Sequence, residues 1–317
     1  MANDSIVVID TVQIVKDLDF SVDLFELQIV DPSSGIQFYK NGILYLQDSK
    51  ESSKDIRISF GTLDTYVAAI DGLKPRAPAF FSKNFAFPFP SEAISFTGDY
   101  SKMYFTKKSD FKGTATDIVK IYQSEYIGSD SKKRSGWSEN IQPLTFNGDD
   151  FSCTQPSVSP DGTILIFASD RPGGQGKMDL YTVHLENGTW SDPLNLGDEI
   201  NTAEDENFPF LMNRNTLFFS SNGHRGIGGY DIYISKFEDG VWTQPSNLGY
   251  SVNTRMDEIA FTMNRTNQEM GFFSSDFFLD DLAIWPPFFV YIFVCILHIF
   301  TFIKISTHLF ICLCIYS

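Results

Sequence analysis

Carboxylates recur at fixed intervals in the middle of this 317-residue chain. Their oxygens are suitable calcium ligands, but they follow neither an EF-hand nor a nonapeptide calcium spacing. Because most of them occur once per repeat, we interpret them as turn caps that accept hydrogen bonds from backbone amides, and we predict no metal and no cofactor. The repeated carboxylates are Asp161, Asp179, Asp205, Glu206, Asp231, Asp257 and Glu258.

Other residues that could support catalysis are sparse. His184 and His224 lie in the repeat region, but their spacing does not match that of metal-binding pairs. The glycine-rich loops at 172–176 and 223–229 connect strands and precede no helix, so we expect them to supply left-handed backbone rather than a phosphate site. No nucleophile elbow of the Gly-x-Ser-x-Gly type is present. We therefore predict no catalytic residues and a protein that is not an enzyme.

Three tryptophans define the period that positions these residues. Trp190 follows Trp137 by 53 residues, and Trp242 follows Trp190 by 52. Tyr181 and Tyr233 are likewise 52 residues apart. Equal positions in successive units favour core packing of the tryptophans between units, and sugar stacking is the functional alternative.

The hydrophobic pattern within each unit is that of short strands. The turn that ends in Asp161-Gly162 precedes the apolar run 163–168, and Asn187-Gly188 and Asp239-Gly240 have the composition of two-residue hairpin turns. Residues 85–276 show no helical periodicity. About four strands in roughly 50 residues are typical of one propeller blade, so we predict an all-β propeller of four to five four-stranded blades.

The predicted array is incomplete. Either the N-terminal strands complete the last blade, or the chain is a fragment of a longer protein. The predicted units are N-terminal strands at 1–30, repeats at 31–285 (31–87, 88–150, 151–205, 206–258 and a partial unit at 259–285) and an apolar tail at 286–317.

The apolar tail has two interpretations. Residues 288–317 contain one charged residue, Lys304, and the stretch 288–305 is close to the length of about 20 residues that spans a bilayer. A C-terminal membrane anchor is one prediction. The other is a product of an out-of-frame reading, because the composition changes abruptly within a repeat. The first residues lack the basic segment of a secretory signal peptide.

Charge and cysteine content exclude further classes. The net charge of −16 argues against nucleic-acid binding, which requires clustered Lys and Arg. Of the four cysteines, only Cys153 lies in the repeats, so we predict neither a disulfide framework nor a zinc site.

One family resemblance arises from these motifs. The run 156–162, Pro-Ser-Val-Ser-Pro-Asp-Gly, with its following strand and Arg171-Pro172-Gly173, resembles the WD-like propeller repeat of the TolB type. The phrase from Asn195 to Glu206 is similar to a version found in OmpA-family cell-envelope proteins of Bacteroidetes. The resemblance implies a periplasmic or outer-membrane location and protein partners in the cell envelope.

These observations together predict a binding module without catalysis that acts as a protein–protein interaction platform. The alternative function is a glycan-binding or glycan-hydrolysing propeller of the sialidase type. Clustered acidic and arginine side chains at the channel mouth would favour this alternative.

Overall fold

The computed structural model describes residues 20–29, 36–48, 63–87, 94–108, 118–128, 136–138, 140–275, 290–297, 301–302 and 312–313. Every regular element in these ranges is a β-strand. In chain order the strands are β1 (Phe20–Ile29), β2 (Ile36–Tyr39), β3 (Gly42–Asp48), β4 (Leu63–Asp71), β5 (Lys74–Phe87), β6 (Ser95–Phe96), β7 (Lys102–Lys108), β8 (Val119–Glu125), β9 (Gln142–Pro143), β10 (Cys153–Val158), β11 (Ile164–Ser169), β12 (Asp179–Glu186), β13 (Thr189–Trp190), β14 (Leu194–Asn195), β15 (Glu206–Asn213), β16 (Thr216–Ser221), β17 (Asp231–Glu238), β18 (Val241–Trp242), β19 (Ser246–Asn247), β20 (Glu258–Met263), β21 (Met270–Ser275), β22 (Val290–Leu297), β23 (Thr301–Phe302) and β24 (Cys312–Leu313).

Four antiparallel sheets are built from consecutive strands and form blades 1 to 4 of a β-propeller. Blade 1 contains β2 to β5, blade 2 contains β6 to β9, blade 3 contains β10 to β14, and blade 4 contains β15 to β19. A fifth sheet has the order β20-β21-β22-β1, and we call it blade 5. The all-β propeller predicted from the sequence is confirmed.

Blade 5 joins the two ends of the described chain. Strand β22 pairs with β21 on one side and with β1 on the other, so Phe20 lies opposite Leu297. The prediction of a membrane anchor at 288–305 is therefore wrong for 290–297, which form a strand inside a sheet. Among the residues with described positions, no helix is long and apolar enough to cross a membrane. The predicted strands within 1–19 and most of the tail beyond 297 lie outside the described residues.

Hydrophobic clusters fill the spaces between blades and close the ring. Each of the five clusters combines side chains of neighbouring blades, including blade 5 with blade 1. In the last of these spaces Phe25 of β1 packs edge-on against Phe272, with ring centroids 4.9 Å apart, beside Ile43 of blade 1. Burying this apolar surface on both sides of every blade is the main force that stabilises the ring.

Local sequence explains the hairpins of blades 3 and 4. Asn187-Gly188 and Asp239-Gly240 both have positive φ at their two residues, as type I′ turns require. The first strands of blades 3, 4 and 5 contain a bulge with positive φ, at Gln155, Phe208 and Ala260. These bulges bend the innermost strands around the axis of the ring.

Candidate channel site

The first strands of the blades surround an axial channel and are tied together by hydrogen bonds between blades. The Val158 amide of blade 3 donates to Ser95 Oγ of blade 2 over 3.0 Å. The Leu211 amide of blade 4 donates to Ser157 Oγ of blade 3 over 2.8 Å. Because these bonds are buried, they fix the inner strands relative to one another.

One arginine from blade 5 bonds to three of the other blades. Arg265 lies in the turn between β20 and β21, and its Nη1 donates to the carbonyl oxygen of Phe96 in blade 2 over 3.1 Å. Its Nη2 donates to the carbonyl oxygens of Val158 in blade 3 (2.8 Å) and Leu211 in blade 4 (2.7 Å). The guanidinium also lies over the ring of Phe210, 5.1 Å from its centroid. A single side chain therefore connects four of the five blades.

The charge of this arginine has no carboxylate partner among the described residues. Burial lowers the pKa of Arg265 to about 10, and the nearby Tyr100 opposes this shift. The group therefore remains cationic at neutral pH. A buried charge without a counter-charge is unusual, because the loss of hydration is not offset by an ion pair.

A cavity of about 210 Å³ lies beside Arg265 at the end of the ring that carries the turns between the first and second strands. We call this end the turn face. The cavity draws residues from every blade: Gln37, Phe38 and Lys40 from blade 1, Thr97 and Tyr100 from blade 2, Pro160 from blade 3, Phe210 from blade 4, and Asn264 and Arg265 from blade 5. Lys40 Nζ lies over the rings of Tyr39 and Tyr126, at 5.2 and 5.4 Å from their centroids.

A smaller cavity of about 20 Å³ is lined by the inner strands, at Gln37, Ser157, Phe208 and Ala260 among others. This volume is close to that of one water molecule. The residues that line these two cavities include Lys40 and Arg265 but neither Asp nor Glu. The ionisable side chains that line these two cavities are therefore Lys40, Arg265 and Tyr100.

The repeated tryptophans lie away from this channel mouth. Trp137 is buried in the cluster between blades 1 and 2, and Trp190 packs edge-on against Tyr104 in the space between blades 2 and 3. Trp242 joins the cluster between blades 3 and 4. Each tryptophan thus contacts the blade that precedes its own.

The repeated aspartates at the start of the third strands hold the glycine-rich loops. Asp179 accepts hydrogen bonds from the amides of Gln175 and Gly176 and from Asn195 Nδ2. Asp231 accepts the equivalent bonds from the amides of Ile227 and Gly228 and from Asn247. Tyr181 and Tyr233, two residues further on, stack on Phe167 and Phe219 of the adjacent strand.

The carboxylates that precede each new blade are also bound internally. Glu206 accepts bonds from the amide and hydroxyl of Thr202 and from Ser221 Oγ, and burial raises its pKa despite these bonds. Glu258 makes the same contacts with Thr254 and Ser275, and burial raises its pKa too. Asp205, next to Glu206, forms an isolated backbone β-bridge with Met178. Asp257 accepts a hydrogen bond from the amide of Tyr230.

Asp161 and Gly162 form the turn between β10 and β11. Gly162 has a φ of 74°, which favours glycine. Burial opposes ionisation of Asp161, but hydrogen bonds from Ser159, Thr163 and Arg214 outweigh it and lower its pKa below the usual range. Among the described residues, no group of three or more Asp, Glu, His or Cys side chains could hold a metal ion.

The glycines of the two loops are required for a different reason from the left-handed backbone that we predicted. Gly173 alone in them has positive φ. A Cβ at Gly176 would overlap the carbonyl oxygen of Glu204, and one at Gly228 would overlap that of Met256. These glycines are required because each loop packs closely against the backbone that begins the next blade.

Sequence reasoning missed Arg265, although a signal was present. Met263-Asn264-Arg265 repeats Met212-Asn213-Arg214 at an offset of 51 residues, whereas the strands that follow repeat at an offset of 54. The chain between this motif and the next strand is therefore three residues longer in blade 5. In that longer turn Arg265 bonds backbone carbonyls, whereas Arg214 pairs with Asp161.

Comparisons with known proteins identify the fold and no family. No family model and no curated protein match the sequence. An α-L-arabinofuranosidase from Lactobacillus brevis matches with 15% identity and a TM-score of 0.52, over 86% of this chain and 92% of that one. TolB from Acinetobacter baumannii matches with 15% identity and a TM-score of 0.43, over 80% of this chain; the match spans about half, 51%, of the TolB chain.

These matches correct one prediction and limit another. The prediction that the chain is not an enzyme is contradicted by the structural neighbour with a TM-score of 0.52, the α-L-arabinofuranosidase, which is an enzyme. The prediction rested on the lack of recognisable catalytic motifs in the sequence, whereas one fold carries both binding proteins and enzymes. TolB-type proteins are among the similar structures. The comparisons do not show the OmpA-family relationship that the sequence motifs predicted. The chain is a β-propeller.

Proposed function

We propose that this chain is a propeller binding module that recognises a partner at the turn face, around the mouth lined by Lys40 and Arg265. The observation that carries the proposal is the convergence of all five blades on one cavity that contains an uncompensated, largely buried cation. Propellers place variable loops at one end of a rigid ring, and such loops tolerate changes without disturbing the blades. A partner that contacts this mouth contacts every blade at once.

The proposed partner is a protein of the bacterial cell envelope, which the repeat motifs suggest through their TolB-type resemblance. The charge distribution supports an acidic contact surface on that partner. The chain carries a net charge of −16, yet its channel mouth presents Lys40 and Arg265. Two cations at one mouth of an acidic protein favour one orientation of an acidic partner, because other acidic surfaces repel it.

Site-specific photo-crosslinking in the cells that encode the chain tests this proposal. A crosslinker replaces Thr266, which is exposed at the rim of the cavity, or Val241, which is 64% exposed on the outer strand β18. We expect a discrete crosslinked protein from position 266 and none from position 241. Equal crosslinking from both positions, or none from the rim, would contradict recognition at the turn face.

A second candidate is a glycan-binding or glycan-hydrolysing propeller, and the match to the arabinofuranosidase favours it. Hydrolysis with two carboxylates requires a pair of Asp or Glu residues about 5–10 Å apart around the sugar. The two described cavities have no such lining residues, so these carboxylates would have to come from another part of the chain. Release of sugar from aryl arabinofuranosides by the purified protein, measured against the Arg265→Gln variant, tests this candidate.

A further inference from the structure

Arg265 has hydrogen-bonding capacity that the protein does not use. A guanidinium has five N–H donors, and three carbonyl oxygens occupy three of them. The Nε atom is shielded from solvent and has no hydrogen-bond partner among the described residues. Because Nε is shielded, the donor that remains for a ligand in the adjacent cavity is the second N–H of Nη1, whose first N–H bonds the Phe96 carbonyl.

Arg265 lacks a counter-charge among the described residues. The carbonyl oxygens that accept from Arg265 satisfy donors but supply no negative charge, and no described Asp or Glu lines the adjacent cavity. Lys40 adds a second cation at the rim of the same cavity, held over Tyr39 and Tyr126. A ligand with one negative charge would pair with the guanidinium and be attracted by the ammonium.

The cavity limits the size of this ligand. At about 210 Å³ it lies below the range of about 300–1,000 Å³ that is typical of sites for drug-sized molecules. Its lining combines the aromatic residues Phe38 and Tyr100 with the hydroxyl and amide groups of Thr97 and Asn264. An amino-acid-sized or monosaccharide-sized group with both apolar and polar faces suits this lining.

We infer that the cavity beside Arg265 is a subsite for a carboxylate group, with Arg265 as its anchor and Lys40 as a second positive charge at its entrance. This inference rests on the proposed binding role of the turn face and names the chemical group that is recognised there. A carboxylate is preferred to a phosphate dianion because the guanidinium offers few free donors and Lys40 stands at the rim over two tyrosine rings. The carboxylate belongs either to an acidic residue of a protein partner or to an anionic sugar.

Thermal unfolding and calorimetry with small probes test the inference and separate the two sources. N-acetylaspartate stands for an acidic residue, with N-acetylasparagine as its neutral match, and glucuronate stands for an anionic sugar, with glucose as its neutral match. We expect one carboxylate probe to raise the Tm of the wild-type protein in a saturable manner, and its neutral match to leave the Tm unchanged.

Variants locate the binding. We expect Arg265→Gln to weaken binding more than about tenfold and Lys40→Gln to weaken it roughly two- to fivefold. Arg214→Gln is the matched control, since Arg214 is the arginine of the repeated Met-Asn-Arg sequence in blade 4 but pairs with Asp161. Should Arg265→Gln fail to fold, the exposed Lys40→Gln still tests the site.

Three results would overturn the inference: no saturable effect of either carboxylate, an equal effect of the neutral probes, or binding of inorganic phosphate in preference to both carboxylates. These results leave the crosslinking experiment unaffected. A crosslink from position 266 without carboxylate binding would therefore support the turn face as the partner site. It would contradict the inference that the group recognised there is a carboxylate.

Discussion

Blades 4 and 5 carry the same Met-Asn-Arg sequence where the first strand ends, but use it differently. In blade 4 the turn is short, and Arg214 reaches the exposed side chain of Asp161 in blade 3 at 2.5 Å. In blade 5 the longer turn directs Arg265 to three backbone carbonyls around the channel. The comparison shows that the repeat builds the ring, and that a small departure from the repeat places a charge on its axis.

Asn264 explains how the longer turn is fixed. Its side-chain oxygen accepts hydrogen bonds from the amides of Thr266 and Asn267, and its carbonyl accepts one from the amide of Gln268. Such side-chain bonds to the following amides stabilise a turn without help from other blades. Arg265 is therefore held at the start of a self-supporting loop.

Blades 4 and 5 also differ in their outer strands, and this difference gives the largest expected effect. Blade 4 is made of consecutive strands, whereas blade 5 takes its outer strand, β1, from near the N-terminus. Deletion of residues 1–29 removes this strand and the buried side chains of Phe20 and Phe25. We expect the truncated protein to lose its cooperative thermal transition, measured by circular dichroism.

Addition of a synthetic peptide of residues 18–31 in trans is the control for this deletion. Restoration of a cooperative transition would show that the loss is caused by the missing strand. An unchanged Tm after truncation would mean that the ring does not depend on β1.

The second prediction compares the two arginines directly. Arg265→Met removes three charged hydrogen bonds and leaves three carbonyls without this donor, so we expect a loss of about 3 kcal/mol in the free energy of unfolding. For a domain of this size the Tm should fall by roughly 5 °C. Arg214→Met is the matched control, and a Tm loss as large as that of Arg265→Met would remove the distinction between the two turns.

The third prediction concerns contacts that successive blades share. Asn201 in blade 3 bonds the amide and the carbonyl of Leu180, and Asn253 makes the same two bonds with Ile232 in blade 4. Replacing either asparagine by alanine should lower the free energy of unfolding by about 2 kcal/mol. Denaturant titration of both variants measures this loss, and values that differ by more than twofold would argue against equivalent blades.

The smallest expected effect is the pH dependence of the Arg214–Asp161 pair. The folded-state pKa of Asp161 is lowered, so its contribution to stability is present above its unfolded pKa of about 3.9 and is lost as the pH falls through its folded value. The pair is partly exposed, and we expect Arg214→Gln to lower stability by less than about 1 kcal/mol at pH 7. The difference from wild type should shrink with acidification below pH 4, as measured by thermal unfolding; a difference that grows would contradict this sign.

The sequence indicated the propeller because its structural contacts are local and repeated. Asp179, Asn195 and Asn201 bond one another within one blade, and their counterparts 52 residues later do the same. In blade 2 the same role falls to Asn147, which bonds the amide and carbonyl of Ile121. The sequence did not reveal this residue, since the surrounding motif has diverged while the backbone geometry has not.

The C-terminal segment shows where sequence pattern misleads. Val290–Leu297 is continuously apolar, a composition shared by membrane spans and by strands covered on both faces. Its partner strand β1 lies more than 260 residues earlier, so no local pattern identifies the pairing. Only the assembled ring shows that this segment is the third strand of blade 5.

The strand content, the period and the turns follow from the amino-acid sequence alone, because these depend on interactions between residues close together in the chain. The tertiary structure decided how the ring closes and which arginine occupies its axis. Both depend on groups far apart in sequence: Arg265 bonds carbonyls 54, 107 and 169 residues away, and their position is set by the bending and packing of three other blades. The candidate site is therefore a property of the closed ring rather than of any repeat within it.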